Sequence, residues 1–293
     1  MMMKVLVSGA NGQLGRDTVR MLSKDHHVLG YTRQEWDITD RKRTWRLMEL
    51  EKPDTVIHCA AFTAVDHSEM VPCTAFQVNT RATRDLAEAC QQHGVRLIYI
   101  STDYVFDGRQ DGGYIESDSA SPINVYGKTK WMGERWVTSL CHHHLIIRTS
   151  WVYGLHGHNF ITSVLRQAAT GSELYVVDDQ VGCPTYTVHL AQLLNILLNR
   201  PLRGIIHAAG GGSCSRYEFA AEILQQAGFS TEKLRRISSN QLKGKAVRPA
   251  VSILRSCRLP IGKISPLPHW KRGLTQYFLE RQGVNQSDQG SCI

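Results

Sequence analysis

Short runs of consecutive apolar residues alternate along this chain with longer segments in which apolar residues recur every three or four positions. Continuous runs suit strands covered on both faces, and the longer period suits helices that pack by one face. Alternation of the two predicts parallel strands joined by crossover helices. The runs place strands at Lys4–Ser8, His27–Tyr31, Thr55–Cys59, Arg96–Ser101 and Leu145–Arg148. Helices are predicted near Leu14–Leu22, Arg41–Glu51, Ala75–His93 and Asn124–Ser139. In the third of these, Val78, Ala82, Leu86, Ala89 and Cys90 make one apolar face, which reads as core. Beyond about residue 150 the pattern loosens. A helix near Phe160–Ala169, a strand near Leu174–Val177, a helix at Val188–Leu198, a strand at Gly204–Ala208 and a helix at Tyr217–Ala227 complete the series. The polar tail from about Gln282 is expected to fray.

The expected fold class is therefore α/β, a Rossmann-type doubly wound parallel sheet with a smaller C-terminal α+β lobe. A chain of 293 residues is long enough for both. Residues 1–150 with about 186–206 are assigned to a dinucleotide-binding domain, 151–185 and 207–282 to the second lobe, and 283–293 to a flexible tail.

The decisive local pattern is Val5-Leu6-Val7-Ser8-Gly9-Ala10-Asn11-Gly12-Gln13-Leu14-Gly15, a strand running straight into glycines three apart and then into a helix. Gly9 permits the tight turn, Gly12 lets the backbone approach a pyrophosphate, and Gly15 lets helix pack on strand. The helix that opens there offers free N–H groups and the positive end of its dipole to phosphate. At the end of the second strand, Tyr31-Thr32-Arg33 offers no carboxylate for a ribose 2′-hydroxyl. Arg33 reads either as a partner for a 2′-phosphate, which makes NADPH the expected cofactor and NADH the alternative, or as a solvated surface arginine.

A second constellation lies in Asn124-Val125-Tyr126-Gly127-Lys128-Thr129-Lys130, where a phenol and an ammonium stand one helical turn apart. Ser101-Thr102-Asp103 ends the fourth strand, where ligands of open α/β sheets gather. If Tyr126 gives a proton to a carbonyl, its pKa is expected to fall under the influence of the Lys130 cation, with Thr102 adding a hydrogen bond to the same oxygen.

Composition narrows the class further. The net charge of +8 suits nucleic acid or a phosphate-bearing small ligand, and the dispersal of the basic residues favours the small ligand. No run approaches the roughly 20 apolar residues of a membrane span, and the chain enters its first strand directly after Met3, so a cytoplasmic protein without membrane partner is expected. The eight cysteines are scattered with no Cys-x-x-Cys pair, which suits reduced thiols. His142-His143-His144 reads as a polar turn into the fifth strand, because adjacent side chains diverge.

Together, Gly9–Gly15, Cys59-Ala60-Ala61-Phe62-Thr63, Ser101-Thr102-Asp103-Tyr104-Val105-Phe106, Tyr126–Lys130 and Arg148-Thr149-Ser150-Trp151-Val152-Tyr153-Gly154 resemble the dTDP-4-dehydrorhamnose reductase family of extended short-chain dehydrogenases. The likeness continues through Asp179–Thr185 and Arg248–Ser252, so it spans residue 4 to about 280. The resemblance implies NADPH-dependent reduction of the 4-keto group of dTDP-4-dehydro-L-rhamnose to dTDP-L-rhamnose. It implies Thr102, Tyr126 and Lys130 as the catalytic triad, Lys130 also holding the nicotinamide ribose. It implies Gly9, Gly12, Gln13, Leu14 and Gly15 at the pyrophosphate, Asp37 and Ile38 at the adenine, and Ala60, Ala61 and Thr63 near ribose and diphosphate. Val65, Asp66, Tyr104 and Trp151 would face the sugar, so the second lobe is the expected sugar-nucleotide site. Some members carry a magnesium ion at a dimer contact, to which no residue of this chain is assigned, and a homodimer is the general expectation.

Two departures from the family pattern are Phe62, where Tyr is usual, and His67-Ser68-Glu69 after Val65-Asp66. Several residues keep a plainer alternative. Asp66 reads as a helix cap or a ligand, Trp151 as core or ligand, and Arg248 as part of a rigid loop or a diphosphate partner. Two other functions share the fold: an epimerase or dehydratase, and a non-catalytic subunit resembling the regulatory subunit of methionine adenosyltransferase. The chain reads Thr102-Asp103-Tyr104 where such dehydratases carry Thr-Asp-Glu, which argues against water elimination.

Overall fold

A computed structural model describes residues 2–242 and 244–289. Its first half runs β1 (Lys4–Ser8), α1 (Gln13–Leu22), β2 (His27–Tyr31), α2 (Arg41–Glu51), β3 (Thr55–His58), α3 (Val65–Met70), α4 (Pro72–Phe76), α5 (Ala82–Gln92), β4 (Arg96–Thr102), α6 (Val125–Leu140) and β5 (His144–Thr149). The second half runs β6 (Val152–Tyr153), α7 (Phe160–Ala169), β7 (Leu174–Val177), β8 (Val181–Gly182), β9 (Thr185–Tyr186), α8 (Thr187–Leu198), β10 (Gly204–His207), β11 (Cys214–Ser215), α9 (Arg216–Gln226), β12 (Leu234–Ile237), α10 (Arg258–Ile261) and α11 (Trp270–Gln289).

Six strands form one parallel sheet in the order β2-β1-β3-β4-β5-β10. The order reverses at β1, since the chain first steps outward to β2 and then returns to β3 on the other side. That reversal opens a crevice between the carboxyl ends of β1 and β3, the place where open α/β sheets bind ligands. Val5, Leu6 and Val7 of β1 are wholly buried, as their uninterrupted apolar run predicts. Each contributes roughly 1.5–3 kcal/mol relative to an exposed side chain. Val5 and Val7 belong to one apolar cluster with Leu14 of α1 and Leu190 and Leu194 of α8, while Leu6 belongs to another with Met48, Leu86 and Val137 from α2, α5 and α6.

A separate cluster of Tyr153, Val164, Phe219, Leu274 and Tyr277 makes the core of a smaller lobe with three two-stranded sheets. Its long α11 lies beyond the elements that the apolar pattern predicts, and its helical backbone continues to Gln289 through the stretch expected to fray. The seven described cysteines are free, and Cys292 lies outside the described residues. Among the described residues, no helix is long and apolar enough to cross a membrane.

The helix expected over Ala75–His93 is a more elaborate object. α4 passes into a π-helical turn at Gln77–Arg81 before α5 begins. Such a turn inserts one residue and rotates the helix beyond it, and it is common at functional sites. Here it brings Asn79 and Thr80, both buried, toward α6. The expectation that this segment is core alone is thus corrected: polar side chains within it bind the loop after β3 and the helix α6.

Candidate active site

The glycine turn is built as its spacing implies. Gly9 has φ of +68°, and a Cβ there would lie 2.8 Å from the backbone of Ala60. A Cβ on Gly15 would fall 2.1 Å from the Gly9 carbonyl oxygen, so only glycine admits this contact of helix and turn. α1 starts after Gly12 with no side chain capping it, which leaves its first N–H groups directed into the crevice. Leu14 and Ile38 send their side chains into the core, so only their backbone is available to a ligand. Gln13 turns its side chain away from the turn and hydrogen-bonds the segment 154–159.

Arg33 is largely exposed, 3.9 Å from Asp37. Asp37 itself is engaged locally, accepting from the Thr39 N–H at 2.9 Å and hydroxyl at 2.7 Å. Glu35 folds back to accept from the Thr32 N–H and the Thr32 hydroxyl, both at 2.8 Å, and these bonds hold its carboxyl below the usual range.

Ala60, Ala61 and Thr63 continue from β3 past the crevice. Their loop is pinned by Asn79, whose Oδ1 accepts from the Phe62 N–H at 2.8 Å. Its Nδ2 donates to the Phe62 carbonyl at 3.1 Å and to Thr129 Oγ1 at 3.0 Å. Thr80 donates to the Thr129 carbonyl at 2.8 Å. The π turn therefore ties the loop after β3 to the helix that carries Tyr126 and Lys130. Sequence reasoning missed Asn79 and Thr80; the polar run Asn79-Thr80-Arg81 between Val78 and Ala82 was the only signal.

α6 is set by three partners. Asn124 caps it, accepting from the Gly127 N–H at 2.7 Å and donating to the Val247 carbonyl at 2.9 Å, and Glu69 accepts from the Val125 N–H at 2.8 Å. One turn into α6, Lys130 is buried with its ammonium donating to the Ile100 carbonyl at 2.7 Å and lying 4.1 Å from the Tyr99 ring centroid. Burial pulls its pKa down to about 7, against the opposing pull of Glu134 and Cys59. Tyr126 packs edge-on against Tyr104, ring centroids 5.9 Å apart. Thr102 donates to Asp103 Oδ1 at 3.0 Å and accepts from the Tyr104 N–H at 3.2 Å.

The expectation of an acidified phenol is overturned for the protein alone. Burial pushes Tyr126 above the ordinary phenol value, Asp103 and Tyr104 push the same way, and only the Thr102 hydroxyl works against them. The Lys130 ammonium is turned to the Ile100 carbonyl. A phenol that keeps its proton is still suited to be an acid, so the correction concerns the cause and not the direction of proton flow.

On the side facing the smaller lobe, Asp66 stands in the first turn of α3 but does not cap it. Its Oδ1 lies 2.8 Å from Arg248 and accepts from the Ala246 N–H at 3.1 Å, while Lys245 reaches Oδ2 at 3.3 Å. Burial opposes ionisation, yet Arg248 and these bonds hold the carboxyl below its usual range. Val65 is the half-buried first residue of the same helix. Trp151 adopts φ of +45°, an unusual conformation for a bulky residue. Its indole packs on Gly182, and the Arg216 guanidinium lies 3.5 Å from its centroid. The Arg216 charge works against the rise that burial causes in the Tyr104 phenol, and among the described residues Arg216 has no carboxylate at ion-pair distance. Nothing in the spacing around Arg216 marked it; it is brought in by the N-terminus of α9.

The crevice thus joins an uncapped helix N-terminus, Tyr126 packed on Tyr104 with the buried Lys130 one helical turn along α6, and a lip bearing Arg216 and Arg248. Such a site can hold a dinucleotide beside a second phosphate-bearing ligand and deliver a proton between them. Among the described residues, no three His, Cys, Asp or Glu side chains converge to hold a metal ion.

Comparison with known proteins agrees with this geometry. The family model described as RmlD substrate binding domain matches residues 3–282. The chain is 38% identical over 275 residues to a dTDP-4-keto-6-deoxy-D-glucose reductase of Streptomyces niveus, covering 93% of this chain and 96% of that protein. It is 37% identical over 278 residues to a dTDP-4-dehydrorhamnose reductase of Mycobacterium tuberculosis, covering 92% of this chain and 91% of that one. Among solved structures, a dTDP-4-dehydrorhamnose reductase of Bacillus anthracis in complex with NADP superposes with a TM-score of 0.93 at 36% identity, covering 96% of this chain and 100% of that one.

Proposed function

Because the chain belongs to the RmlD substrate binding domain family, we propose that it uses NADPH to reduce the 4-keto group of dTDP-4-dehydro-L-rhamnose, giving dTDP-L-rhamnose. It is an oxidoreductase of the dTDP-4-dehydrorhamnose reductase type, and the finer assignments of cofactor and sugar are the proposal. The observation that carries the reading is the placement of Tyr126 on α6 one helical turn before the buried Lys130, packed edge-on against Tyr104 at the end of β4.

Residues 1–150 and about 186–206 hold the cofactor in this reading, and 151–185 with 207–282 hold the sugar nucleotide. The uncapped N-terminus of α1 and the bare surface of Gly9, Gly12 and Gly15 fit a pyrophosphate. Asp37 and Ile38 border the adenine, Arg33 the 2′-phosphate, and Ala60, Ala61 and Thr63 the neighbouring ribose. Reduced nicotinamide supplies the hydride. Tyr126 gives its phenolic proton to the oxygen that was the ketone, Thr102 donates to the same oxygen, and Lys130 holds the nicotinamide ribose. Val65, Asp66, Tyr104 and Trp151 border the sugar, with Arg216 and Arg248 directed to its diphosphate.

The test is loss of reduced-nicotinamide absorbance with dTDP-4-dehydro-L-rhamnose, run beside other 4-keto sugar nucleotides and with NADH in place of NADPH. Tyr126→Phe is expected to lower turnover by roughly 10²–10⁴-fold with NADPH binding retained, the usual contribution of a general acid. Undiminished turnover in that variant would sink the reading. A second reading, the non-catalytic subunit, requires that NADPH bind while no sugar nucleotide is turned over.

A further inference from the structure

One side chain of the dinucleotide turn reaches across into the smaller lobe. Gln13 Oε1 accepts from the Gly154 N–H at 3.1 Å and from Asn159 Nδ2 at 3.0 Å, while its Nε2 donates to the His158 carbonyl at 3.3 Å. Both lone pairs of the amide oxygen are thereby used by one loop. The loop backbone closes over the side chain: Gly157 has φ of +75°, and a Cβ there would lie 3.3 Å from Gln13 Cγ.

The segment so held connects two groups of the sugar-facing lip. It begins just after Trp151 and β6, and it ends at Asn159, which caps α7 by accepting from the Thr162 N–H at 3.1 Å. The next residue, Phe160, presents its ring to Arg216 at 5.1 Å, and Trp151 presents its own at 3.5 Å. Gln13 therefore braces the loop that joins the two rings on which Arg216 rests. It makes this contact from the first residue of α1, where the backbone faces the crevice.

We infer that Gln13 is a positioning residue that couples the two ligand sites, its backbone ordered by a dinucleotide at the α1 N-terminus and its amide passing that order through residues 154–159 to Trp151 and Arg216. The inference rests on the proposed reading that one site takes NADPH and the other a dTDP-sugar. Coupling of this kind is reciprocal, so each ligand must tighten the other by the same factor. A brace of purely structural value would lower stability and weaken both ligands alike, without changing that factor.

The experiment measures Kd for dTDP-L-rhamnose by calorimetry on the full chain, with and without saturating NADPH. Wild type is compared with Gln13→Met, which keeps the length and loses the hydrogen bonds, and with Gln13→Asn, one methylene short of its partners. In wild type the cofactor is expected to tighten the sugar nucleotide by a factor of about 5–150, a range usual for coupled sites. In both variants the factor falls to within about twofold of one, while NADPH alone binds within about threefold of wild type. Turnover at saturating NADPH then shows a raised KM for the sugar nucleotide. An unchanged factor in a folded variant, or a wild-type factor of one with both ligands bound, overturns the coupling and leaves the reductase reading standing. A wild type that binds neither ligand overturns both together.

Discussion

Arg148 of β5 and Glu134 of α6 form a two-pronged ion pair, Nε to Oε1 at 2.9 Å and Nη2 to Oε2 at 2.7 Å, with each side chain only 4% exposed. Ser101 donates to the same carboxylate at 2.5 Å, one residue before Thr102. The pair thus fixes α6 against the ends of β4 and β5, on which the candidate triad depends. Removing one partner strands the other charge in the interior. Glu134→Leu is expected to lower stability by about 3–5 kcal/mol in urea unfolding, and Glu134→Leu with Arg148→Met to recover most of it. A single variant as stable as wild type would contradict this role of the pair.

His58 supplies an acid-side prediction. It is fully buried, hydrogen-bonded to Ser8 at 2.7 Å and to Thr83 at 3.3 Å, and stacked on Tyr99. Burial, assisted by the Lys130 charge, lowers its pKa to about 3 from the ordinary 6.5. Between those values the unfolded chain binds the proton and the folded one does not, so stability is full above about 6.5 and is lost as pH falls toward 3. His58→Gln is expected to reduce the slope of unfolding free energy by about 1.4 kcal/mol per pH unit in that window. His207, lowered to about 4, adds a similar slope to both proteins and cancels from the comparison. Equal slopes in urea titrations across the window would refute the assignment.

Local patterns along the chain are legible in the sequence. The apolar run Val5–Val7 marks β1, because a doubly covered strand favours apolar side chains, and the strand spans Lys4–Ser8 as the run predicts. α2 is equally plain, since Asp40 caps it through the Arg43 N–H. The glycine turn and the Tyr126–Lys130 spacing are local patterns with local causes, and both appear where the spacing puts them. Asn79, Gln13 and Arg216 act on partners roughly 17 to 146 positions away, and no window along the chain contains both ends of such a contact. α11 differs again: Trp270, Leu274, Tyr277 and Phe278 have helical spacing, so its signal was present but unread.

Lys130 sets a second pH dependence. With its pKa near 7 the ammonium is present below that value and lost above it, while the raised pKa of Tyr126 keeps the phenol protonated throughout. If the ammonium holds the cofactor ribose, kcat/KM for NADPH falls as pH rises through about 7, since that ratio reports groups of the free enzyme. Lys130→Arg, which stays charged, is expected to flatten the fall at a lower absolute rate, because a guanidinium does not reproduce the ammonium geometry. A wild-type profile level from about pH 6 to about pH 9 would remove this role from Lys130.

Arg216 makes the most direct claim about the sugar-facing lip. Its guanidinium is held 3.5 Å over the Trp151 indole, and burial lowers its pKa from the usual arginine value, a sign that the cation is costly where it stands. A diphosphate would offset that cost with charge-assisted hydrogen bonds of about 1.5–3 kcal/mol. Arg216→Gln is accordingly expected to raise KM for the dTDP-sugar by about 10–100-fold, with the NADPH constant little changed. Arg248 is shared with Asp66, so Arg248→Gln should show the smaller effect on KM and also release Asp66 toward its ordinary acidity. Steady-state kinetics on the two variants decide the matter: equal effects on cofactor and sugar nucleotide would mean that Arg216 merely packs against Trp151.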